Sequence, residues 1–478
     1  MNTKIIKVNK VADTENIVFL LPDLKNLTTD ILSETEIKYT RQQHTKNKKE
    51  LISFNHITNW IFIQFIKNEK IKYKKLELCR KAGDKILAEI NGNKINNIFI
   101  NNVEGKADET LAFAEGMALS NYRFLKYKKE KKEKENSLKT INIFSKAVKK
   151  AEIDELNIII KATNICRNLV NEPVSFLNAV TLSKEIKKMG RETGTKVEVL
   201  NKKKIEVLKM GGLLAVNKGS IDPPTFTIIE WKPDSPVNTK PYVFVGKGIV
   251  FDTGGLNIKT GNFMENMKSD MAGAAAVASA IYAISTAKLP VHVIGLIPAT
   301  DNRLDGNAYV TGDIITMFDG TSVEVINTDA EGRMILADAL SYAKKYNPKL
   351  VIDLSTLTGS AQRAIGKYGI VGMETKSEKE FKELQKSGKN VYERVVEFPF
   401  WDEYSEELKS EIADIKNIGG TTGGAITAGK FLEHFTKYPY IHLDIAGPAF
   451  LEKKDSYRGI GGSGTGVRLL FDFIKSKC

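Results

Sequence analysis

Three short segments of the 478-residue sequence combine carboxylates, cations and glycines. They cover residues 243–259, 266–273 and 325–336. In α/β proteins, residues of these types bind ligands where strands end and helices begin. The charged residues of the three segments that could do chemistry are Lys247, Asp252, Lys259, Asp270, Asp329, Glu331 and Arg333.

The four acids in these segments predict a metal site. Carboxylates that converge at neighbouring strand ends repel one another and raise each other's pKa, so they require compensating positive charge. The two lysines and the arginine can supply part of that charge, and two divalent cations bridged by carboxylates can supply the rest. Such a pair of cations binds a water between them, lowers its pKa and polarises a substrate carbonyl.

Each segment also has a plain structural interpretation. Taken singly, the charges of the first segment would be interpreted as ordinary solvated charges. Asp270 could complement the N-terminus of an Ala-rich helix predicted at 274–284. Asp329 and Glu331 are two apart and point to one side of an extended backbone, but with Arg333 they could equally form a capping arrangement. The combination of all three segments favours a functional site.

Histidine and cysteine are scarce, with five and three residues and no HExxH, HxH or CxxC spacing. A thiolate metal cage or a disulfide framework is therefore not expected, and the odd number of widely spaced cysteines indicates a reducing, cytoplasmic location. No apolar run is long enough for a membrane span, and the N-terminal residues lack a signal-peptide pattern. The contents of 42% hydrophobic and 27% charged residues are typical of globular proteins.

Beyond residue 171, strand-like apolar runs alternate with segments of helical periodicity. This pattern predicts a larger C-terminal α/β domain around a central, twisted, mostly parallel sheet. The predicted strands are residues 196–200, 225–231, 242–245, 291–297, 323–326, 350–354 and 440–444. The predicted helices are residues 179–189, 273–284, 334–346, 426–435 and 467–474.

The first third of the chain is predicted to form a smaller α/β accessory domain. We place this N-terminal domain at 1–150, a connecting helix at 151–171 that ends before Pro173, and the catalytic domain at 172–478. Within the accessory domain, 109–126 is predicted as an amphipathic helix. The predicted strands or buried segments there are residues 5–8, 17–21, 71–78 and 98–100.

Nearly all of the net charge of +13 lies in the accessory domain, since residues 1–150 contain 30 Lys and Arg against 18 Asp and Glu. A basic domain is typical of proteins that bind nucleic acid, so nucleic-acid binding is a second hypothesis from a different functional class. The lysines are interleaved with acids, as in the run YKKEKKEKE at 127–135. The simpler interpretation of that run is a solvated loop or helix end.

Six stretches of the sequence resemble, in content and order, those of the leucyl aminopeptidase family, the di-zinc cytosol aminopeptidases. The resemblance covers roughly residues 160–470 and is weak in the first third of the chain. It implies a metal-dependent exopeptidase that hydrolyses N-terminal leucine and other residues from peptides. It also implies a homohexamer, and some bacterial members of the family bind DNA. The six stretches are VGKGIVFDTGGLNIK, MENMKSDMAGAAAV, NTDAEGR, DLSTLTGS, NIGGTTGGAITAGKFL and HLDIAGPAF.

The resemblance further implies a role for each charged residue. Lys259 would stabilise the tetrahedral gem-diolate in the manner of an oxyanion hole. Arg333 would hold a bicarbonate that relays a proton from the attacking water to the leaving amine. The implied metals are zinc or manganese, with magnesium or cobalt as alternatives at the exchangeable site. The implied ligands are Lys247, Asp252, Asp270 and Glu331 for one metal, and Asp252, Asp329 (with its main-chain carbonyl) and Glu331 for the other.

By the same resemblance, five residues line the pocket for the N-terminal side chain of the substrate, and two contact its backbone. Met267, one of the five, also has an ordinary interpretation as a core residue. Ala449 is smaller than the methionine of some family members, so the pocket is expected to be roomier and a preference for leucine stays open. The pocket residues are Met267, Thr356, Gly359, Ala446 and Ala449, and the backbone contacts are Asn327 and Leu357.

Overall fold

The computed structural model describes residues 3–478, which divide into two units. The first comprises the chain up to Asn164 together with Lys453–Gly459, and the second comprises Ile165–Glu452 and Ile460–Cys478. The segment Lys453–Gly459 lies in the predicted range 172–478 but belongs to the first unit. The domain ranges 1–150 and 172–478 therefore remain a prediction from the sequence. Within residues 3–478, the helices are all too short or too polar to cross a bilayer.

The strands of the first unit are β1 (Lys4–Val8), β2 (Ile17–Leu21), β3 (Leu51–Asn55), β4 (Trp60–Phe65), β5 (Asn97–Asn102) and β6 (Thr140–Phe144). They form one sheet in the order β1-β6-β5-β2-β4-β3, in which only β3 runs antiparallel to its neighbour. The helices are α1 (Glu34–Lys46), α2 (Lys72–Gly92), α3 (Ala107–Ser120) and α4 (Lys150–Asn171). Helix α4 continues across the boundary between the units at Asn164.

The strand alternative at 71–78 is wrong, because residues 72–78 lie in α2, whereas the alternative of a buried segment is met in part, since Lys75 and Glu77 are buried. The buried apolar residues Cys79, Ala82, Ile86 and Ile90 recur at helical spacing along this helix. These four apolar residues all follow the predicted segment, so residues 71–78 alone do not reveal the helical period.

The strands of the second unit are β7 (Lys196–Leu200), β8 (Thr225–Trp231), β9 (Tyr242–Gly246), β10 (Gly248–Asp252), β11 (Val293–Asn302), β12 (Ile314–Thr316), β13 (Ser322–Glu324), β14 (Leu350–Ser355), β15 (Ile370–Thr375), β16 (Val395–Glu397), β17 (Ile415–Lys416), β18 (Tyr440–Asp444), β19 (Phe450–Leu451) and β20 (Gly461–Gly462). The main sheet follows the order β16-β15-β18-β14-β9-β11-β8-β7, with β10 also paired to β11. Its centre, from β18 to β11, is parallel, and antiparallel pairs lie toward both edges. The predicted α/β class with a mostly parallel sheet is confirmed.

The helices of the second unit are α5 (Ala179–Thr193), α6 (Lys202–Val207), α7 (Gly211–Asn217), α8 (Ala272–Thr286), α9 (Glu331–Ala343), α10 (Gly359–Ile365), α11 (Glu378–Val391), α12 (Glu403–Glu406), α13 (Gly424–His434) and α14 (Val467–Lys475). Every strand and helix predicted for the catalytic domain overlaps one of the observed elements. Strands β10 and β15 and helix α11 are among the elements that the sequence patterns did not indicate.

The register of β9 on β11 continues into β10, so the two strands follow one path that is interrupted at Lys247. Continuing that register places Lys247 opposite Pro298, which has no N–H to donate to a ladder. The backbone of Lys247 bonds elsewhere: its N–H donates to the carbonyl of Leu354 at 3.1 Å, and its carbonyl accepts from Ala274 at 2.9 Å. The interruption therefore fixes Lys247 between the centre of the sheet and the start of α8.

A buried carboxyl, Asp338, anchors helix α9 to two neighbouring segments. Its side chain is inaccessible to solvent and accepts hydrogen bonds from the N–H groups of Leu213 and Phe318, each at 2.9 Å. Burial raises its pKa from an ordinary 3.8 to about 7. Because the pKa in the folded state is the higher one, the stabilising contribution of this carboxyl is complete below about pH 4 and is lost as the pH rises through about 7.

We expect Asp338→Ala to lower the free energy of unfolding by roughly 2–4 kcal/mol, because two buried N–H groups lose their acceptor. From the direction of the pKa shift, the loss should be larger at pH 5 than at pH 8. Denaturant unfolding at both pH values measures it, with the exposed Asp234→Ala as the matched control. A loss equal to that of the control would show that Asp338 does not anchor α9.

Candidate active site

The predicted charged residues meet at the carboxyl ends of the parallel strands. Lys247 follows β9, Asp252 ends β10, and Thr356 follows β14. Asp270 precedes α8, and Glu331 is the first residue of α9. This is the edge of an α/β sheet where ligands bind, because the backbone turns there from strands into loops and helices.

Lys247 joins two of the acids. Its side chain is 3% exposed, and its Nζ lies 2.8 Å from Asp270 Oδ2 and 3.1 Å from Glu331 Oε1. Nζ also donates to the carbonyl of Thr356 at 3.0 Å. A Cβ at Gly332 would lie 2.3 Å from Lys247 Cε, so only glycine allows the first turn of α9 to approach this lysine so closely.

Lys259 joins the other two acids. Its Nζ lies 2.8 Å from Asp252 Oδ2 and 2.5 Å from Asp329 Oδ1, and its side chain is 14% exposed. Asp329 is the most accessible member of the cluster, with 34% of its side chain exposed. The site therefore has a buried side at Lys247 and an accessible side at Lys259 and Asp329.

The donor set fits divalent cations. One carboxylate oxygen from each of Asp252, Asp329 and Glu331 lies within 4.8 Å of the other two. The second oxygen of Glu331, Oε2, is buried and, within residues 3–478, has no hydrogen-bond partner. A buried unsatisfied carboxylate oxygen is costly unless a cation or donor meets it. Asp270 lies outside this group of three but reaches it through Lys247.

The pKa shifts of the buried acids indicate that the cluster lacks positive charge. Burial, together with the neighbouring Asp252, raises the pKa of both Glu331 and Asp270. Burial by itself lowers the pKa of Lys247, but the surrounding carboxylates raise it above its ordinary range. A neutral Lys247 amine acting as a ligand therefore requires a cation close enough to outweigh those carboxylates.

Two interpretations of the local backbone change with the structure. Asp270 does not cap α8 with its side chain, because the N-cap residue is Met271 and no side-chain cap bond is made; complementing the charge of the helix N-terminus stays a prediction. The extended backbone expected between Asp329 and Glu331 is wrong, since Asp329 lies in a turn and Glu331 begins α9. The turn is held by Asn327, whose Oδ1 accepts a hydrogen bond from the N–H of Asp329 at 2.8 Å.

Thr328 connects the first and third segments and was not indicated by the sequence. Its hydroxyl donates to the carbonyl of Gly254 at 2.6 Å and accepts from the N–H of Asn257 at 2.9 Å. Its N–H donates to Asn257 Oδ1 at 2.8 Å. Its carbonyl accepts from the hydroxyl of Tyr309 at 2.7 Å and from Asn302 at 3.1 Å. The loops that carry Lys259 and Asp329 are thereby held against each other.

Asn302 also orients one of the acids. Its Nδ2 donates to Asp252 Oδ1 at 2.9 Å, and the N–H of Gly254 donates to the same oxygen at 2.8 Å. Both donors use Oδ1, so the other oxygen, Oδ2, is the one that faces Lys259. Gly254 has a φ of 88°, which a side chain disfavours, and this conformation brings its N–H to Asp252.

Arg333 is buried and forms no ion pair with the carboxylates within residues 3–478. One of its terminal nitrogens donates to the carbonyl of Asn417 at 2.7 Å. Its Nε is buried and meets no hydrogen-bond acceptor in the described part of the chain. Burial lowers its pKa to about 10, from an ordinary 12.5. The guanidinium thus keeps a donor that no residue of the described chain satisfies.

The predicted substrate residues form two groups. Met267 begins a 3₁₀ turn that leads to Asp270, and the hydroxyl of Thr356 donates to Asp270 Oδ1 at 2.8 Å. Leu357 and Ala446 are tied together by Asp444, whose Oδ1 accepts from their N–H groups at 3.2 and 3.0 Å. Gly359 starts α10 shortly after Leu357, and Ala449 is 2% exposed just before β19. The sequence analysis did not single out Asp444, although it lies in the stretch HLDIAGPAF that resembles the family.

Comparison with known proteins identifies the family of the chain. Residues 164–471 match the cytosol aminopeptidase family, catalytic domain. A probable cytosol aminopeptidase of Chlorobium phaeobacteroides is 45% identical over 78% of this chain and 75% of its own length. That of Clostridium perfringens is 36% identical over 98% of this chain and 99% of its own length.

Solved structures of related enzymes share the fold over nearly the whole chain. A tomato leucine aminopeptidase variant superimposes with a TM-score of 0.88 at 25% identity, covering 99% of this chain and 96% of that one. The bottromycin maturation enzyme BotP in complex with Mn gives a TM-score of 0.86 at 25% identity, covering 98% of this chain and 100% of that one. The chain therefore belongs to the cytosol aminopeptidase family and is a metal-dependent aminopeptidase.

Proposed function

We propose that this enzyme removes N-terminal leucine and other residues from peptides with two divalent cations held at the carboxylate cluster. The observation that carries the proposal is the group formed by Asp252, Asp329 and Glu331, whose oxygens lie within 4.8 Å of one another. Lys247 and Asp270 complete the set on its buried side. One cation would be held by Lys247, Asp252, Asp270 and Glu331, and the other by Asp252, Asp329 and Glu331.

Zinc or manganese suits this set, with magnesium or cobalt as alternatives at the more exchangeable position. When bound, the two cations would lower the pKa of a water and polarise the scissile carbonyl. The donor set is rich in carboxylates and contains no histidine or cysteine. Its ligand atoms are therefore mainly oxygens, which suit such cations. The Mn in the BotP structure is consistent with manganese here.

Lys259 would stabilise the tetrahedral species that forms when water adds to the carbonyl. Its Nζ lies between Asp252 and Asp329 on the accessible side of the cluster. These carboxylates raise its pKa above its ordinary range, so the group stays an ammonium and a donor. A fixed cationic donor at this position favours the transition state more than the substrate.

Arg333 would hold bicarbonate and, through it, move a proton from the attacking water to the leaving amine. The buried Nε without a partner in the described chain is a donor available to such an anion. The terminal nitrogen bound to the carbonyl of Asn417 fixes the guanidinium in place. Histidine is not required as a base in this arrangement.

The substrate side chain would be accommodated by Met267, Thr356, Gly359, Ala446 and Ala449, with Asn327 and Leu357 contacting the substrate backbone. Because Ala449 is small, we propose a pocket that accepts residues larger than leucine as well. A profile of aminoacyl fluorogenic substrates, measured with defined metals, would establish this preference. The homohexamer and the cytoplasmic location remain predictions from the sequence.

Removal of metal should abolish the activity reversibly. We expect dialysis against a chelator to lower hydrolysis of leucyl-p-nitroanilide at least about a hundredfold, because the cations would supply both the activated water and the polarisation of the carbonyl. Addition of Zn²⁺ or Mn²⁺ should restore the rate, whereas Ca²⁺, which prefers larger oxygen shells, should not. Undiminished activity in metal-free enzyme, verified by elemental analysis, would contradict the proposed function.

The basic excess of the first 150 residues favours a second candidate function, weak and sequence-independent binding of nucleic acid. The loop at 127–135 is exposed, as the simpler interpretation predicts, and Lys134 pairs with Glu130 at 3.0 Å. Such pairs reduce the charge available for phosphate, so we expect binding of labelled duplex DNA by the whole chain at 50 mM salt and loss of binding at 200 mM. No anisotropy change at 50 mM salt would contradict this function.

A further inference from the structure

Asn417 lies directly behind the segment that carries three of the site's charged residues. It follows β17, the strand that pairs with β13, and it is inaccessible to solvent. Its Oδ1 accepts hydrogen bonds from the N–H groups of Ile326 at 2.8 Å and Asn327 at 3.2 Å. Its Nδ2 donates to the carbonyl of Asn327 at 2.7 Å. One side chain therefore satisfies three backbone groups in the turn between β13 and α9.

These contacts are linked through Asn327 to two charged residues of the site, Asp329 and Lys259. Asn327, fixed by Asn417, holds the N–H of Asp329 through its own side chain at 2.8 Å. Asp329 in turn lies against Lys259, the lysine on the accessible side of the cluster. A shift of the turn would therefore displace Asp329 relative to Lys259.

The backbone of Asn417 holds a second catalytic group. Its carbonyl accepts the only hydrogen bond that the Arg333 side chain makes within residues 3–478, at 2.7 Å. The N–H of Asn417 donates to the carbonyl of Glu324, in β13, at 2.9 Å. This bond fixes the position of the Asn417 carbonyl, the acceptor for Arg333, relative to β13. Asn417 thus contacts both the turn that presents Asp329 and the guanidinium of Arg333.

We propose that Asn417 is a positioning residue of this active site, which sets the placement of Asp329 and Arg333 without touching the substrate. This inference rests on the proposed roles of those two residues. A residue that orients a metal ligand typically changes metal affinity or activity 10–100-fold when it is removed. Its effect should appear in kcat and in metal binding, with little change in KM.

The test compares Asn417→Ala with Asn238→Ala. Asn238 is a matched control, because its side chain is 6% exposed and also makes three hydrogen bonds to backbone groups, two donated at 2.8 and 3.0 Å and one accepted at 2.8 Å. None of its partners belongs to the site. Both variants should lose some thermal stability, since each removes three hydrogen bonds between a buried side chain and the backbone.

Two measurements separate positioning from a general loss of structure. Calorimetric titration with Mn²⁺ should show affinity at least about tenfold weaker in Asn417→Ala and unchanged in Asn238→Ala. Hydrolysis of leucyl-p-nitroanilide at saturating Mn²⁺ should show kcat lowered about 10–100-fold only in Asn417→Ala. Parental Mn²⁺ affinity and kcat in Asn417→Ala would overturn the proposal.

A second variant keeps the proposal testable if Asn417→Ala does not fold. Asn417→Asp keeps the acceptor for the two N–H groups but places an oxygen against the carbonyl of Asn327, and we expect an intermediate loss of Mn²⁺ affinity. Parental affinity in this variant would overturn the proposal equally. If the parent enzyme binds Mn²⁺ but hydrolyses no aminoacyl substrate, the proposed function fails while the titration still decides the role of Asn417.

Discussion

Replacing Glu331 by alanine should lower kcat/KM for leucyl-p-nitroanilide by about three orders of magnitude or more, equivalent to about 4 kcal/mol. Glu331 is 1% exposed, pairs with Lys247 at 3.1 Å and belongs to the group of three convergent carboxylates. The proposal assigns it, like Asp252, to both cations, and it pairs with Lys247 on the buried side of the site. Its loss should therefore remove metal as well as activity.

The measurement combines steady-state kinetics with the metal content of the purified variant. We expect less than half of the parental metal per chain, even after dialysis against Zn²⁺ or Mn²⁺. Glu198→Ala is a suitable control, because Glu198 is half exposed on β7 and pairs only with Lys204 among the described residues. A fully active Glu331→Ala enzyme with the parental metal content would refute the assignment of the site.

Replacing Lys259 by methionine should lower kcat by about 10²–10³-fold with little change in KM. Methionine keeps the length of the side chain but removes the ammonium that lies between Asp252 and Asp329. A donor that acts on charge developing in the transition state contributes to kcat and not to substrate binding. The two variants should therefore differ in metal content. Glu331→Ala should lose both metal and activity, whereas Lys259→Met should lose activity but retain its metal.

Kinetics at saturating Mn²⁺, with metal content measured in parallel, decide this prediction. Lys188→Met, an exposed lysine on α5, controls for the substitution itself. A kcat within tenfold of the parent in metal-loaded Lys259→Met would show that Lys259 is not the oxyanion donor. A large rise in KM with unchanged kcat would instead assign Lys259 to substrate binding.

The charged part of the site could be predicted from the sequence, whereas its uncharged supports could not. Lys247, Asp252 and Glu331 stand out because charged residues beside glycines and apolar runs are unusual in a buried setting. Thr328 and Asn417 lie within two of the stretches that resemble the family, but their residue types give no such signal, because threonine and asparagine are common in every loop. Their importance comes from backbone groups that lie far away in sequence, such as the carbonyl of Gly254 for Thr328.

Elements of the fold that depend on local sequence could be predicted, whereas those that depend on contacts with distant residues could not. Strands β9, β14 and β18 are apolar runs with clear ends, and the sequence predicts each within one residue at either end. The break at Lys247 depends on Pro298 in another strand and on α8, so no local pattern separates β10 from β9. The helical turn at Glu331 likewise replaces the extended backbone that the two-residue spacing of the acids suggests.

The segment Lys453–Gly459 gives the first unit an unusual folding order. Tyr457 is completely buried in the core of that unit, and its hydroxyl donates to Glu77 Oε2 at 2.8 Å. The unit therefore lacks part of its core until residue 457 has been synthesised. Domains ordinarily fold in the order in which they emerge, but here a contact across 380 residues delays completion of the first unit until most of the second has been synthesised. A fragment cut at the unit boundary would consequently be an incomplete folding unit.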